Sequence, residues 1–80
     1  MKKYRPNILY DEIFIPEFGT RLLEAINIKG MTQKELSLKL CLEQSAVNGY
    51  ITGRRYPSIP VLVKMCQILN VSADYLLELK

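Results

Sequence analysis

Residues 32–53, TQKELSLKLCLEQSAVNGYITG, leave little choice of local structure. They spell two short helices joined by a tight turn. Thr32 is followed three residues later by Glu35, the spacing of a capping box. There the Thr hydroxyl accepts from the Glu35 amide, and the carboxylate accepts from the Thr32 amide. Met31 before the cap and Leu36 at the fourth helical position form a hydrophobic staple. Leu36 and Leu40, four apart, share one face. Cys41-Leu42-Glu43 interrupts the pattern. A second helix begins near Gln44, with Val47, Tyr50 and Ile51 as its apolar positions and Gly53 as its C-terminal stop.

The other face of that second helix bears on function. Gln44, Ser45, Asn48 and Thr52 fall together on it, and no charged residue occurs from Gln44 to Thr52. A helix that only meets water usually carries Lys and Glu. An uncharged row of amides and hydroxyls suits base edges instead. Gln and Asn pair bidentately with adenine, and Ser serves several bases. Ala46 and Gly49 are small, so the helix backbone is expected to approach its partner closely. The row is therefore a candidate surface for the DNA major groove. The plain alternative is a solvated helix with a bland polar face.

Bulk numbers narrow the classes. Eighty residues suit one domain with a small core. With 49% hydrophobic and 24% charged residues the chain is expected to fold rather than stay disordered. A net charge of +3 suits a polyanionic partner without demanding one. The apolar runs are too short to span a bilayer, so no membrane role is expected. No apolar signal core follows Met1-Lys2-Lys3, so no export is expected either. Cys41 and Cys66 come without a CxxC pair and without any histidine. A zinc site would lack ligands and a disulfide scaffold would lack partners, so both read as reduced cytosolic thiols. There is also no Gly-rich phosphate loop and no carboxylate pair suited to a cleft. An enzyme is the weakest reading, and no cofactor or metal is expected.

The rest of the chain frames this unit. Residues 1–17, MKKYRPNILYDEIFIPE, read as an N-terminal arm. Lys2, Lys3 and Arg5 make a basic start, for which a disordered tail is the plain reading. Residues 8–15 carry too many large apolar side chains to stay solvated. They suit a short strand over 13–15 that packs on the domain or pairs with a second subunit, an arm along the DNA backbone, or a turn or two of helix after Pro6. Residues 18–80 form the domain proper. Residues 18–28 read as a helix whose core stripe is Phe18, Leu22, Ala25 and Ile26, closed by Lys29 and Gly30. Arg54-Arg55-Tyr56-Pro57 is a loop, and its arginines are placed to grip phosphates beside the groove. Ser58 caps a fourth helix that tolerates Pro60 in its first turn. Its apolar face is expected to be Ile59, Leu62, Val63, Cys66 and Leu69. Asn70 stops it in the left-handed conformation. Ser72 caps a short fifth helix, with Val71 and Leu76 as its staple. Tyr75, Leu76, Leu77 and Leu79 either close the core or meet a twin subunit. The expected fold is an all-α bundle of five short helices.

Three segments together resemble the phage repressor and Cro-like (XRE) helix-turn-helix family. They are Thr32-Gln33-Lys34-Glu35-Leu36, Gly53-Arg54-Arg55-Tyr56-Pro57-Ser58 and Leu69-Asn70-Val71-Ser72-Ala73-Asp74-Tyr75-Leu76-Leu77. The resemblance covers residues 18–77. It implies a compact five-helix, repressor-like DNA-binding domain, cytoplasmic and bacterial or phage-encoded, that binds operators as a homodimer. By that resemblance Gln44, Ser45 and Asn48 read base edges, with Asn48 the first choice for adenine. Gln33, Thr52, Arg54 and Arg55 hold the backbone, and Gln33 steadies Gln44. The chain departs from the family pattern at several positions. Gly49 stands where a longer reading side chain is common. Cys41 stands where the turn usually has Gly, and Glu43 replaces a Ser or Thr cap. Ile51 stands where Glu is common, and Leu38 occupies a normally exposed site.

The leading expectation is a sequence-specific, double-stranded-DNA-binding transcriptional regulator, a repressor acting by occlusion of polymerase. Its operator would be roughly palindromic, with half-sites about 10 base pairs apart. Eighty residues leave no room for a sensor domain, so control would come from concentration, a partner or the arm. The alternative is a protein-interaction module, antitoxin-like or an adaptor, on the same fold.

Overall fold

The structure, a computed structural model, describes residues 15 and 17–79. The expected arm therefore lies outside the described residues except for Ile15 and Glu17, and so does the expected strand except for Ile15. Five helices follow in the described residues: α1 (Phe18–Lys29), α2 (Gln33–Leu40), α3 (Gln44–Thr52), α4 (Ile59–Leu69) and α5 (Ala73–Leu77). No strand occurs among them.

The helix ends follow local chemistry. Thr32 Oγ1 accepts from the Glu35 amide at 3.0 Å, and Glu35 Oε1 accepts from the Thr32 amide at 2.8 Å. This reciprocal pair satisfies two amides that α2 itself cannot. Ser58 and Ser72 cap α4 and α5 through the amides of Val61 and Tyr75. Gly30, Gly53 and Asn70 turn left-handed at the ends of α1, α3 and α4. Cys41 does the same after α2, at φ 59° and ψ 39°. The turn thus keeps the geometry glycine would give it, at a steric cost of about 1–2 kcal/mol.

Packing centres on α1, which lies against α3, α4 and α5, while α2 lies against α3 and α4. Phe18, Leu22, Ala25 and Ile26 all point into the core, joined by Leu36, Leu40, Val47, Tyr50, Leu62, Met65, Leu69 and Leu76. The closest approach falls at Gly19, where a Cβ would overlap the carbonyl oxygen of Ile51. Phe18 meets Tyr56 edge-on, with ring centroids 5.6 Å apart. Tyr56 in turn accepts a hydrogen bond from the Ile15 amide at 3.0 Å, which ties the start of the domain to the loop after α3. At the other end, Arg21 holds α5. Its guanidinium lies 5.1 Å from the centre of the Tyr75 ring and donates to the Tyr75 carbonyl, and its Nε is 3.7 Å from Glu78 Oε2.

The face expected for α4 is corrected. Ile59 is 72% exposed and Val63 50% exposed, whereas Met65 is fully buried. The buried set Leu62, Met65 and Leu69 runs at spacings of three and four, so the core stripe keeps Leu62 and Leu69 but turns toward Met65 and away from Ile59 and Val63. Cys66 sits at its margin, half-buried. Almost every residue of α4 is apolar, so periodicity alone could not locate its inner side.

Candidate nucleic-acid interface

α3 presents its polar row outward. Gln44, Ser45, Asn48 and Thr52 are exposed, while Ala46, Val47 and Tyr50 are buried. Val47 and Tyr50, three apart, enter the core together with Leu36 and Leu40, and Ile51 packs half-buried against it. Ala46 was expected to open the outer face to a partner. It packs inward instead, where its small size lets α3 sit close to its neighbours. Gly49 is also buried. Glu43 occupies the N-cap position of α3 in extended conformation and makes no side-chain cap bond. The sequence therefore places a carboxylate at the entry to α3 without using it to fix the helix end.

The C-terminal end of α3 is built more tightly. The carbonyl of Gly49 accepts from the amides of Arg54 and Arg55 at 3.0 and 3.2 Å. The Thr52 hydroxyl donates to the same carbonyl at 3.3 Å and accepts from Arg54 Nε, also at 3.3 Å. Both arginines are exposed. Thus Thr52, Arg54 and Arg55, singled out in the sequence as backbone-contacting residues, converge on one end of the helix that carries Gln44, Ser45 and Asn48. Gln33 is half-buried at the first position of α2, and no hydrogen bond joins it to Gln44 among the described residues. What the sequence did not reveal is the part played by Gly49, because its contact with Arg55 depends on the path of the loop beyond α3.

Other chemistry is sparse. Among the described residues no group of three or more His, Cys, Asp or Glu could hold a metal. Cys41 is exposed on the turn, whereas burial pushes the Cys66 thiol above its ordinary pKa. An open groove of about 470 Å³ runs between the end of α1 and the α4–α5 turn, lined by Ile28, Leu69, Val71 and Tyr75 among others. It includes no residue of α3. No helix among the described residues is long and apolar enough to cross a membrane.

A helix-turn-helix family model matches residues 22–76 of the chain, the stretch that holds the α2–α3 pair. The chain belongs to the helix-turn-helix family. It is 41% identical over 59 residues to the HTH-type transcriptional regulator ImmR of Bacillus subtilis, covering 74% of this chain and 46% of that protein. It is 35% identical over 66 residues to a putative multi-protein-binding factor 1 of Yarrowia lipolytica, covering 76% of this chain and 43% of that one. The chain thus spans just under half the length of these two relatives. Among solved structures it resembles the restriction-modification controller protein C.AhdI from Aeromonas hydrophila, with a TM-score of 0.70 and 30% identity. That match covers 84% of this chain and 98% of the other.

Proposed function

We propose that the chain is a sequence-specific DNA-binding transcriptional regulator that inserts α3 into the major groove. The observation that carries this reading is the exposed, uncharged row Gln44, Ser45 and Asn48, set beside Arg54 and Arg55 on a helix-turn-helix scaffold. The row offers donors and acceptors to base edges. Gln33, Thr52 and Arg54 hold phosphates on either side of it, and Arg55 adds charge at the same end. It acts as a repressor in the cytoplasm of a bacterium or an infected cell, as a homodimer on a roughly palindromic operator. Half-sites about 10 base pairs apart follow from that symmetry. The roles of ImmR and C.AhdI, a transcriptional regulator and a restriction-modification controller by name, support the reading. No enzymatic step is part of it.

Selection from a random duplex pool tests the proposal, followed by binding measured across salt concentrations. A preferred sequence should emerge, and affinity should fall steeply with salt. Arg54→Ala should reduce the salt slope by about one. Asn48→Ala should cost roughly 1–3 kcal/mol on the selected site and little on random DNA. An equal loss on both would remove Asn48 from the reading role.

A second reading is favoured by the similarity to a protein whose name describes multi-protein binding. On that reading the same scaffold holds a protein, and the chain shows little affinity for any duplex at any salt.

A further inference from the structure

Gly49 is buried, although its neighbours Asn48 and, one turn back, Ser45 are both exposed. Its cover is Arg55. A methyl group at residue 49 would meet Arg55 Cδ at 2.8 Å, Cγ at 3.2 Å and Cβ at 3.5 Å. These distances shorten outward along the side chain, so the Arg55 stem bends back over the glycine. The backbone fixes the start of that path, because the Arg55 amide donates to the Gly49 carbonyl at 3.2 Å. The Arg54 amide shares that carbonyl, but its side chain runs differently, with Nε on the Thr52 hydroxyl. Two arginines adjacent in sequence therefore start from one anchor and send their side chains along different paths. An arginine that leans away from a groove-bound helix meets phosphates at the groove's edge. One whose stem lies along the helix surface travels into the groove with it, apolar carbons against the helix and guanidinium free to pair.

We propose that Arg55 is a base-reading residue, delivered onto the reading face of α3 across the bare surface of Gly49. The side chain missing at residue 49 is replaced by one from the following loop. The chemistry it fits is the O6 and N7 acceptor pair of guanine, which the guanidinium fork matches bidentately. This inference rests on the DNA-binding proposal above.

The test compares duplex selection for the full chain with that for Arg55→Ala, Arg55→Lys, Gly49→Ala and the double variant Gly49→Ala/Arg55→Ala, each checked for helical content by circular dichroism. The unaltered chain should select guanine at one position of each half-site. Arg55→Ala should abolish that preference, weaken binding to the selected site about tenfold and leave the other positions unchanged. Arg55→Lys should not restore the preference, because an ammonium lacks the planar fork. Gly49→Ala should blur the same position by displacing the stem, and the double variant should match Arg55→Ala there. If Arg55→Ala weakens all duplexes alike with every preference retained, or Arg55→Lys restores the guanine preference, the reading role falls while the DNA-binding proposal stands. If the unaltered chain selects no sequence at all, both fall together.

Discussion

Gly19 and Cys41 each set a propensity against a contact. By helix propensity alone, Gly19→Ala should stabilise α1 by about 1 kcal/mol. The backbone of Ile51 lies where the new methyl would go, and a carbonyl cannot rotate away as a side chain can. Forced separation of α1 from α3 costs about 2–3 kcal/mol, so the net effect should be destabilising. Urea unfolding decides the sign, and a gain in midpoint would mean the helices are free to slide. Cys41 presents the reverse case. Its left-handed backbone costs about 1–2 kcal/mol. Glycine removes that cost but frees the unfolded chain by about 0.4–1 kcal/mol. The exposed thiol contributes little packing, so Cys41→Gly should stabilise by about 0.5 kcal/mol, with a raised melting temperature as the readout. A lowered one would show that the sulfur makes a contact worth more than the strain.

At the scale of the helices, the joint between α1 and α5 carries a pH dependence. The Tyr75 hydroxyl donates to Glu24 Oε1 at 3.0 Å. That hydrogen bond, aided by burial and by the Glu24 charge and opposed by Arg21, holds the phenol above its ordinary pKa of 10.0. The folded chain therefore keeps its proton at a pH where the unfolded chain has lost it. The stabilisation is fully present below the unfolded value of 10.0 and declines as pH rises through the higher folded value. Tyr75→Phe should thus be less stable than the natural chain below that pH, with the gap narrowing in more alkaline solution. Denaturant midpoints of the two chains measured across this range provide the check, and a gap that widens would contradict the assignment. The neighbouring elements show how far sequence patterning reaches. The caps at Thr32, Ser58 and Ser72 were evident because each is a local contract between residues three apart. The inner face of α4 was not, because a run such as Ile59 to Val63 offers apolar carbon on every side.

For the molecule as a whole, the property to test is assembly. Ile15 packs on the core and its amide is tied to Tyr56, in the loop that carries Arg54 and Arg55. Ile28, Leu38, Ile59, Val63 and Leu79 leave apolar carbon on the surface of the described residues. If residues 1–17 help join two subunits, deleting them should shift the monomer–dimer balance toward monomer in sedimentation experiments. An unchanged balance would reject the arm as a dimerisation element. The same deletion removes the Ile15 contact, so the melting temperature of the monomer should be followed alongside.

Short-range chemistry wrote the helix boundaries, the left-handed stops and the amphipathic stripes of α1 to α3 into the residues themselves. Capping bonds and i to i+4 contacts span only a few positions, and they close within each element whatever surrounds it. The row of Gln44, Ser45 and Asn48 could be picked out for the same reason, once Val47 and Tyr50 marked the inner side. Three features had to await the assembled core: the inward turn of Ala46, the rotation of α4, and the covering of Gly49 by Arg55. The first two depend on competition for one shared interior, and the third on the path of the loop that follows α3, none of which neighbours in the chain decide.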